Sequence, residues 1–264
     1  MALPDLPRWL DIQTSLLAST LAQWRGTAAF RPAKRQPKQL LELYEFEANP
    51  ECRVVGEALT EMDLDALIRP CPLGGRRFRP QARRLASDAA LPVLVDPNTG
   101  RCLGGEVGAA AAIVAYLAET YGATVRGEQG MARQLRLAGS HLARAVRGSR
   151  GLQVRPSRAP AQALELFSFE SSPFSRLVRE RLCELELPYV LRSTGKALWQ
   201  DMGPPWVHER LFPGTPVAGR NRLRLQTLTG RVQVPYLIDP NTGTAMFESA
   251  AIVDYLEETY ALRG

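Results

Sequence analysis

Residues 234–239 form a short apolar run with Pro235 near its start, and after Asp239-Pro240-Asn241-Thr242-Gly243 the chain becomes apolar again over residues 244–247. A proline is tolerated at the start of a strand because its missing N–H is not needed by the ladder there. The intervening five residues read as a type I turn with proline in the second position and a glycine free to take positive φ, so the segment predicts an antiparallel hairpin. Ser249 then reads as an N-cap, with Ala250, Ile252, Val253 and Leu256 following at helical spacing. Near the start of the chain, Leu10, Leu17, Leu21 and Trp24 share one face of a predicted amphipathic helix that ends at Gly26. A helix of this length is marginal alone, so that apolar face is expected to pack on the remainder of the protein.

The pattern is written twice. LELYEFEANPECRVVGEALTEMDL from Leu41 and LELFSFESSPFSRLVRERLCELEL from Leu164 agree at 12 of 24 positions, and LPVLVDPNTG from Leu91 answers VPYLIDPNTG from Val234. The offset is 123 residues at the first strand and 143 at the prolines, which puts 20 additional residues of the second copy in its Gly- and Pro-rich stretch 195–231. The leading helix recurs as well, since STLAQWRG at Ser19 matches SHLARAVRG at Ser140. Each copy predicts a strand (41–46; 164–169), a helix (50–62; 173–185), a strand (66–69; 189–192), a weak helix, the hairpin and a final helix. Strand-helix-strand implies a right-handed parallel crossover, with the hairpin adding antiparallel edge strands. The expected divisions are residues 1–37 and 124–160 as leading helices with basic linkers, and residues 38–123 and 161–264 as the two repeats.

Composition bounds this picture without changing it. The chain has 264 residues, 45% hydrophobic and 23% charged, with no apolar run near the length of a membrane span and no secretory signal, so a cytoplasmic protein is expected. Cys52, Cys71, Cys102 and Cys183 lack paired spacing, which predicts reduced thiols and no metal site, and His141 and His208 carry no ligand or triad spacing. The net charge of +6 is concentrated in two stretches: residues 25–38 carry +5, and residues 126–158 carry eight arginines against Glu128. Without interleaved aromatics these read as solvated linkers and not as a nucleic-acid surface.

The order VPYLIDPNTG then FESAAIVDYLEETY, with SSPFSR in the preceding strand-to-helix turn, resembles the N-terminal domain of glutathione transferases. More narrowly, the chain looks like tandem proteins built from that domain. The resemblance implies an α/β protein of two tandem thioredoxin-like domains (β-α-β-α-β-β-α), each preceded by an amphipathic helix, with no helical C-terminal domain after the second. It also implies glutathione as ligand or substrate, bound by the second repeat. There, Val234 before the cis Pro235 offers its backbone to the cysteinyl part, and Glu248 with Ser249 grips the γ-glutamyl end, where a helix N-terminus also suits a carboxylate. Ser172 stands where serine-type members place the hydroxyl that hydrogen-bonds the glutathione sulfur, with Phe174 beside it. In the first repeat only Leu91-Pro92 is kept; the Glu-Ser pair aligns with Ala109-Ala110, and Glu106 is the nearest substitute.

Three readings of function stay open on these residues. One is a glutathione-binding, transferase-like protein acting on an unidentified electrophile, with the helical domain that supplies most of the electrophile pocket lacking from the expected layout. A second is a non-catalytic scaffold or interaction protein of thioredoxin fold, favoured by the absence of the leading cysteine from Asn49-Pro50-Glu51-Cys52 and from Ser172-Pro173-Phe174-Ser175. The third is a thiol-disulfide oxidoreductase using Cys52 on a disulfide substrate, with Cys71, just after the second strand, as partner thiol. Arg53 and Arg176, equivalent positions in the two copies, are expected at the surface or paired with acids.

Overall fold

The computed structural model describes residues 8–86, 90–124, 130–203 and 210–262. The first repeat runs β1 (Leu41–Glu45), α2 (Pro50–Glu61), β2 (Ala66–Pro70), α3 (Arg79–Leu85), β3 (Val93–Asp96), β4 (Arg101–Gly104) and α4 (Ala109–Tyr121) after the leading helix α1 (Arg8–Leu21). The second repeats that order, with leading helix α5 (Gly130–Arg147), then β5 (Leu164–Ser168), α6 (Pro173–Glu184), β6 (Tyr189–Ser193), α7 (Arg220–Thr229), β7 (Tyr236–Asp239), β8 (Thr244–Phe247) and α8 (Ser249–Tyr260). In each, the first two strands are parallel and the hairpin antiparallel, giving the thioredoxin-like fold twice. Both Leu91–Pro92 and Val234–Pro235 bonds are cis.

The two repeats share one sheet. Strand order is β4-β3-β1-β2-β6-β5-β7-β8, because β2 pairs antiparallel with β6 through Ala66↔Leu191, Leu67↔Val190 and Ile68↔Tyr189. Leu67 and Val190 are equivalent positions of the two copies, so the pair that faces itself marks a pseudo-two-fold axis. Each repeat alone would leave this strand as an open edge with unpaired backbone groups; pairing the copies closes both edges at once. Above the sheet, α2 packs with α4 and α6 with α8, and Leu43, Val55, Leu59, Ile113 and Leu117 form with Leu166, Val178, Leu182, Ile252 and Leu256 one continuous core.

The leading helices cross over. Helix α1 packs on α5 and on α6 of the second repeat, and α5 packs on α2 of the first. This corrects the expected face of α1: its buried residues are Ser15, Ala18 and Ser19, while Leu17 and Trp24 stay largely exposed at 48% and 40%. The reason is close approach. Ala18 and Ala22 meet Ala143, and a Cβ on Gly139 would stand 3.0 Å from the Leu21 carbonyl oxygen, so bulky side chains would hold the two helices apart. The basic stretch 126–158 is corrected too, because α5 buries two of its arginines: Arg136 bonds Glu57 at 2.7 Å and Arg147 bonds Glu180 at 2.5 Å. Glu57 and Glu180 are equivalent residues of α2 and α6, so one helix clasps both repeats. Among the described residues, no helix is long and apolar enough to cross a membrane.

Candidate functional site

The strand-to-helix turn that opens each site is fixed by its cap. In the first repeat Asn49 is the N-cap of α2, its Oδ1 accepting from the Glu51 and Cys52 N–H groups, and Pro50 fills the first helical position, where no N–H is needed. In the second repeat Ser172 caps α6 by accepting from Ser175 N at 3.2 Å. A serine hydroxyl has one donor besides its acceptor lone pairs, so this bond leaves the Ser172 O–H uncommitted. The residue is nevertheless only 2% exposed. Helix α1 and the segment after it hold the loop on both sides: Ser15 donates to the Pro173 carbonyl and Ser19 to the Ser171 carbonyl, both at 2.7 Å, and the Ser171 hydroxyl meets that of Thr27.

The remaining second-repeat residues sit as follows. Val234 is half-buried, Pro235 is buried and Phe174 is 44% exposed. Glu248 occupies the cap of α8 at φ 69°, so Ser249 is the first helical residue and not the N-cap; the cap makes no side-chain bond to the helix. A non-glycine residue in the left-handed region is uncommon and costs strain, which the hairpin and helix on either side impose here. The Glu248 carboxylate instead accepts from Gln233 Nε2 at 2.6 Å.

In the first repeat the equivalent groups are taken by the chain itself. Asn49 Nδ2 donates to the carbonyl oxygen of Leu91, the residue before the cis proline, at 3.2 Å. The Glu51 carboxylate accepts from Ala110 N at 3.3 Å, at the start of α4. Glu106 is exposed and does not take that role. The second repeat carries Ser172 where the first has Asn49 and Phe174 where it has Glu51: the serine is too short to repeat the first bond and the phenyl ring has no acceptor for the second. Replacing Asn49 with alanine removes the cap and the link to Leu91, with an expected loss of about 1–2 kcal/mol in urea unfolding. A loss below a few tenths would show the link to be idle.

Cys52 and Cys71 lie in one small apolar cluster with Tyr44, Ala82, Leu91 and Val93, and both are free thiols. Burial, and next the Glu45 carboxyl, push the thiols of Cys52 and Cys71 well up, which is the reverse of an activated cysteine. Among the described residues no group of three or more His, Cys, Asp or Glu side chains is placed to hold a metal; His208 lies outside the described residues.

Sequence reasoning missed the groups that join the repeats. Glu47 and Glu170, equivalent residues, both bond Arg179, at 2.8 and 3.0 Å. The counterpart of Arg179 is Gly56, and a Cβ there would stand 2.6 Å from a Glu170 carboxylate oxygen, so the axis has room for one guanidinium and not two. The available signal was the Arg-for-Gly difference at one of the most similar segments of the repeat. Arg53 pairs with Glu57 at 3.2 Å as expected, but Arg176 is 2% exposed and corrects the surface assignment.

This twice-built strand-turn-helix, cis-proline and capped-helix arrangement is matched by a family model. The model of the glutathione S-transferase N-terminal domain fits residues 43–126 and 166–264, well over half of the chain. The chain belongs to that family, in two copies. No curated protein sequence matches it significantly. Among solved structures it is similar to Leishmania TDR1, described as a unique trimeric glutathione transferase, at 13% identity over 85% of this chain and 69% of that one. The TM-score of 0.26 makes that likeness too loose to bear on fold or activity.

Proposed function

We propose that the protein binds glutathione in its second repeat, through the Val234 backbone before Pro235, the Glu248-Ser249 start of α8 and the Ser172 hydroxyl at the sulfur, with Phe174 at the rim. The observation that carries this reading is the difference between the copies. Asn49 and Glu51 satisfy the Leu91 carbonyl and the start of α4 from within, whereas Ser172 and Phe174 make neither bond. A helix start with free N–H groups favours a ligand carboxylate, and charge-assisted bonds there contribute about 1.5–3 kcal/mol. With the Ser172 O–H donating to the sulfur, the glutathione thiol would lose its proton to water, and its thiolate would attack an electrophilic carbon, forming the C–S bond as the leaving group departs with the bonding pair. The four free cysteines and such a ligand both suit a reducing cytoplasm.

Calorimetric titration of the full chain with glutathione tests the assignment. Glu248→Ala with Ser249→Ala should weaken binding about ten- to a hundredfold, while Cys52→Ala and Glu106→Ala leave it unchanged. Absence of binding at millimolar glutathione would overturn it, and the opposite mutational pattern would move the site to the first repeat. The burial of Ser172 beneath α1 favours a second reading, in which the site binds without turnover. Turnover of a chlorodinitrobenzene-type electrophile that Ser172→Ala abolishes would exclude that alternative.

A further inference from the structure

Beside Arg179 lies a narrow cleft between the β1–α2 loop and α5, with interior room of about 20 Å³, enough for one small ion. Its lining holds Arg53, Arg144, Arg147, Arg150 and Arg176 against only two acids, Glu47 and Glu180. Both acids are already held, Glu47 by Arg179 at 2.8 and 3.0 Å and Glu180 by Arg147 at 2.5 and 2.7 Å. Arg53 is paired with Glu57 and Arg150 with Asp11. Arg176 differs. Its guanidinium donates to the Ser15 carbonyl and the Ser19 hydroxyl, and no carboxylate among the described residues bonds it.

A buried guanidinium cannot shed its proton at ordinary pH, and an uncompensated buried charge is strongly disfavoured. Three of the side chains lining the cleft also keep a polar atom with no hydrogen-bond partner: Arg53 Nη2, Arg176 Nε and Ser140 Oγ. All three are more than nine-tenths buried, at 8% exposure for the Arg53 side chain, 2% for Arg176 and 1% for Ser140. The two arginine nitrogens can only donate, and the hydroxyl can donate. A water molecule would accept two of these bonds but would not offset the charge, since the Arg53 and Arg179 cations act on Arg176 more strongly than the Glu170 and Glu47 carboxylates do.

We propose that this cleft is a binding site for a compact inorganic anion, held by Arg53, Arg176 and Ser140. The occupant would join α2 of the first repeat, α6 of the second and the leading helix α5 at one point, and so would tie the halves together beside the pseudo-axis. The proposal is independent of glutathione binding.

Two measurements on the full chain test it, with bromide as the probe. Crystals grown in sodium bromide should show an anomalous peak within hydrogen-bond distance of Arg53, Arg176 and Ser140. Thermal unfolding at fixed ionic strength, with sodium bromide replacing sodium methanesulfonate, should show a rise in Tm that reaches about 3–5 °C at tenfold the Kd and grows logarithmically beyond it. Ser140→Ala, a mild change, and Arg53→Gln should each raise the Kd fitted to that rise at least fivefold. A cleft holding only water in bromide would overturn the proposal. So would a Tm that depends on ionic strength alone, or a bromide response in both variants identical to that of the wild type.

Discussion

Arg179→Met is expected to lower the stability of the protein by about 3–5 kcal/mol, measured as urea unfolding at pH 7.5, because it removes the cation and leaves its two carboxylates buried. Arg179 is 3% exposed and donates to Glu47, to Glu170, to the Ser168 hydroxyl and to the Phe169 and Glu170 carbonyls. The electrostatics around it are finely set. Burial pushes the Glu170 carboxyl up to about 7 even with Arg179 pulling it down, while for Glu47 the pull of Arg179 outweighs burial and lowers it. Without the guanidinium both carboxyls rise above their unfolded values, so both take up protons on folding, and such groups add stability in acid that is lost as pH rises. The deficit of the variant should therefore be smallest near pH 5 and grow toward pH 8. Adding Glu47→Gln and Glu170→Gln should recover part of the loss, since neutral amides tolerate the site better than unpaired carboxylates. A deficit under 1 kcal/mol, or one that does not change with pH, would show that the repeats are held by the β2–β6 pairing and the leading helices alone.

Local signals recovered the elements of each repeat within a residue or two, because proline, turn residues and caps act over four or five positions. The strand at 41–46 ends at Glu45, the helix at 173–185 ends at Glu184, and both hairpins turn at the Asp-Pro-Asn-Thr-Gly sequence. What the pattern could not carry was the arrangement of equivalent pieces across the axis. Nothing in ALIRP or YVLRS says that these strands pair with each other and not with solvent or another chain, because an edge strand and a central one share the same alternation. Helix α1 misled for a related reason. Its leucines and tryptophan mark an apolar face, but the partner α5 offers Gly139 and Ala143, and close helix contact selects the small face. Ser249 missed the cap by one position because a backbone at positive φ before a helix leaves no composition signal when the residue is glutamate. Of the candidate site, the turn, proline and helix start were legible from spacing. The closure of the first copy by Asn49 and Glu51 was not, since both residues also read as an ordinary N-cap and a first-turn acid.

The tyrosine pairs of YLAETY and YLEETY recur without any role that spacing assigns, and the structure gives them one. In the first repeat Asp96 Oδ2 accepts from Tyr116 and Tyr121 at 2.7 Å each, while Oδ1 accepts from Asn98 N and Nδ2 at 2.8 and 2.9 Å. In the second, Asp239 does the same with Tyr255, Tyr260 and Asn241, at 2.5–2.8 Å. Each aspartate is fully buried and binds its hairpin turn to the last helix of its own repeat. Burial alone would raise the carboxyl pKa, but the bonds from both tyrosines and from the asparagine outweigh it and hold Asp96 and Asp239 below the usual range. A carboxylate whose folded pKa is depressed contributes stability that is present above its unfolded pKa, about 3.8, and is lost as pH falls through the folded value. Asp96→Asn and Asp239→Asn should each cost about 2–4 kcal/mol at pH 7, because the amide cannot replace four bonds to a charged acceptor and leaves tyrosine hydroxyls poorly paired. The gap between wild type and either variant should then begin to narrow below about pH 4, where the unfolded chain takes up its proton, and go on closing as pH falls toward the lower folded value. Urea unfolding at pH 7, 4 and 3 reads both effects. A gap that stays constant with pH would mean that shape, and not the charge of the aspartate, holds the turn to the helix.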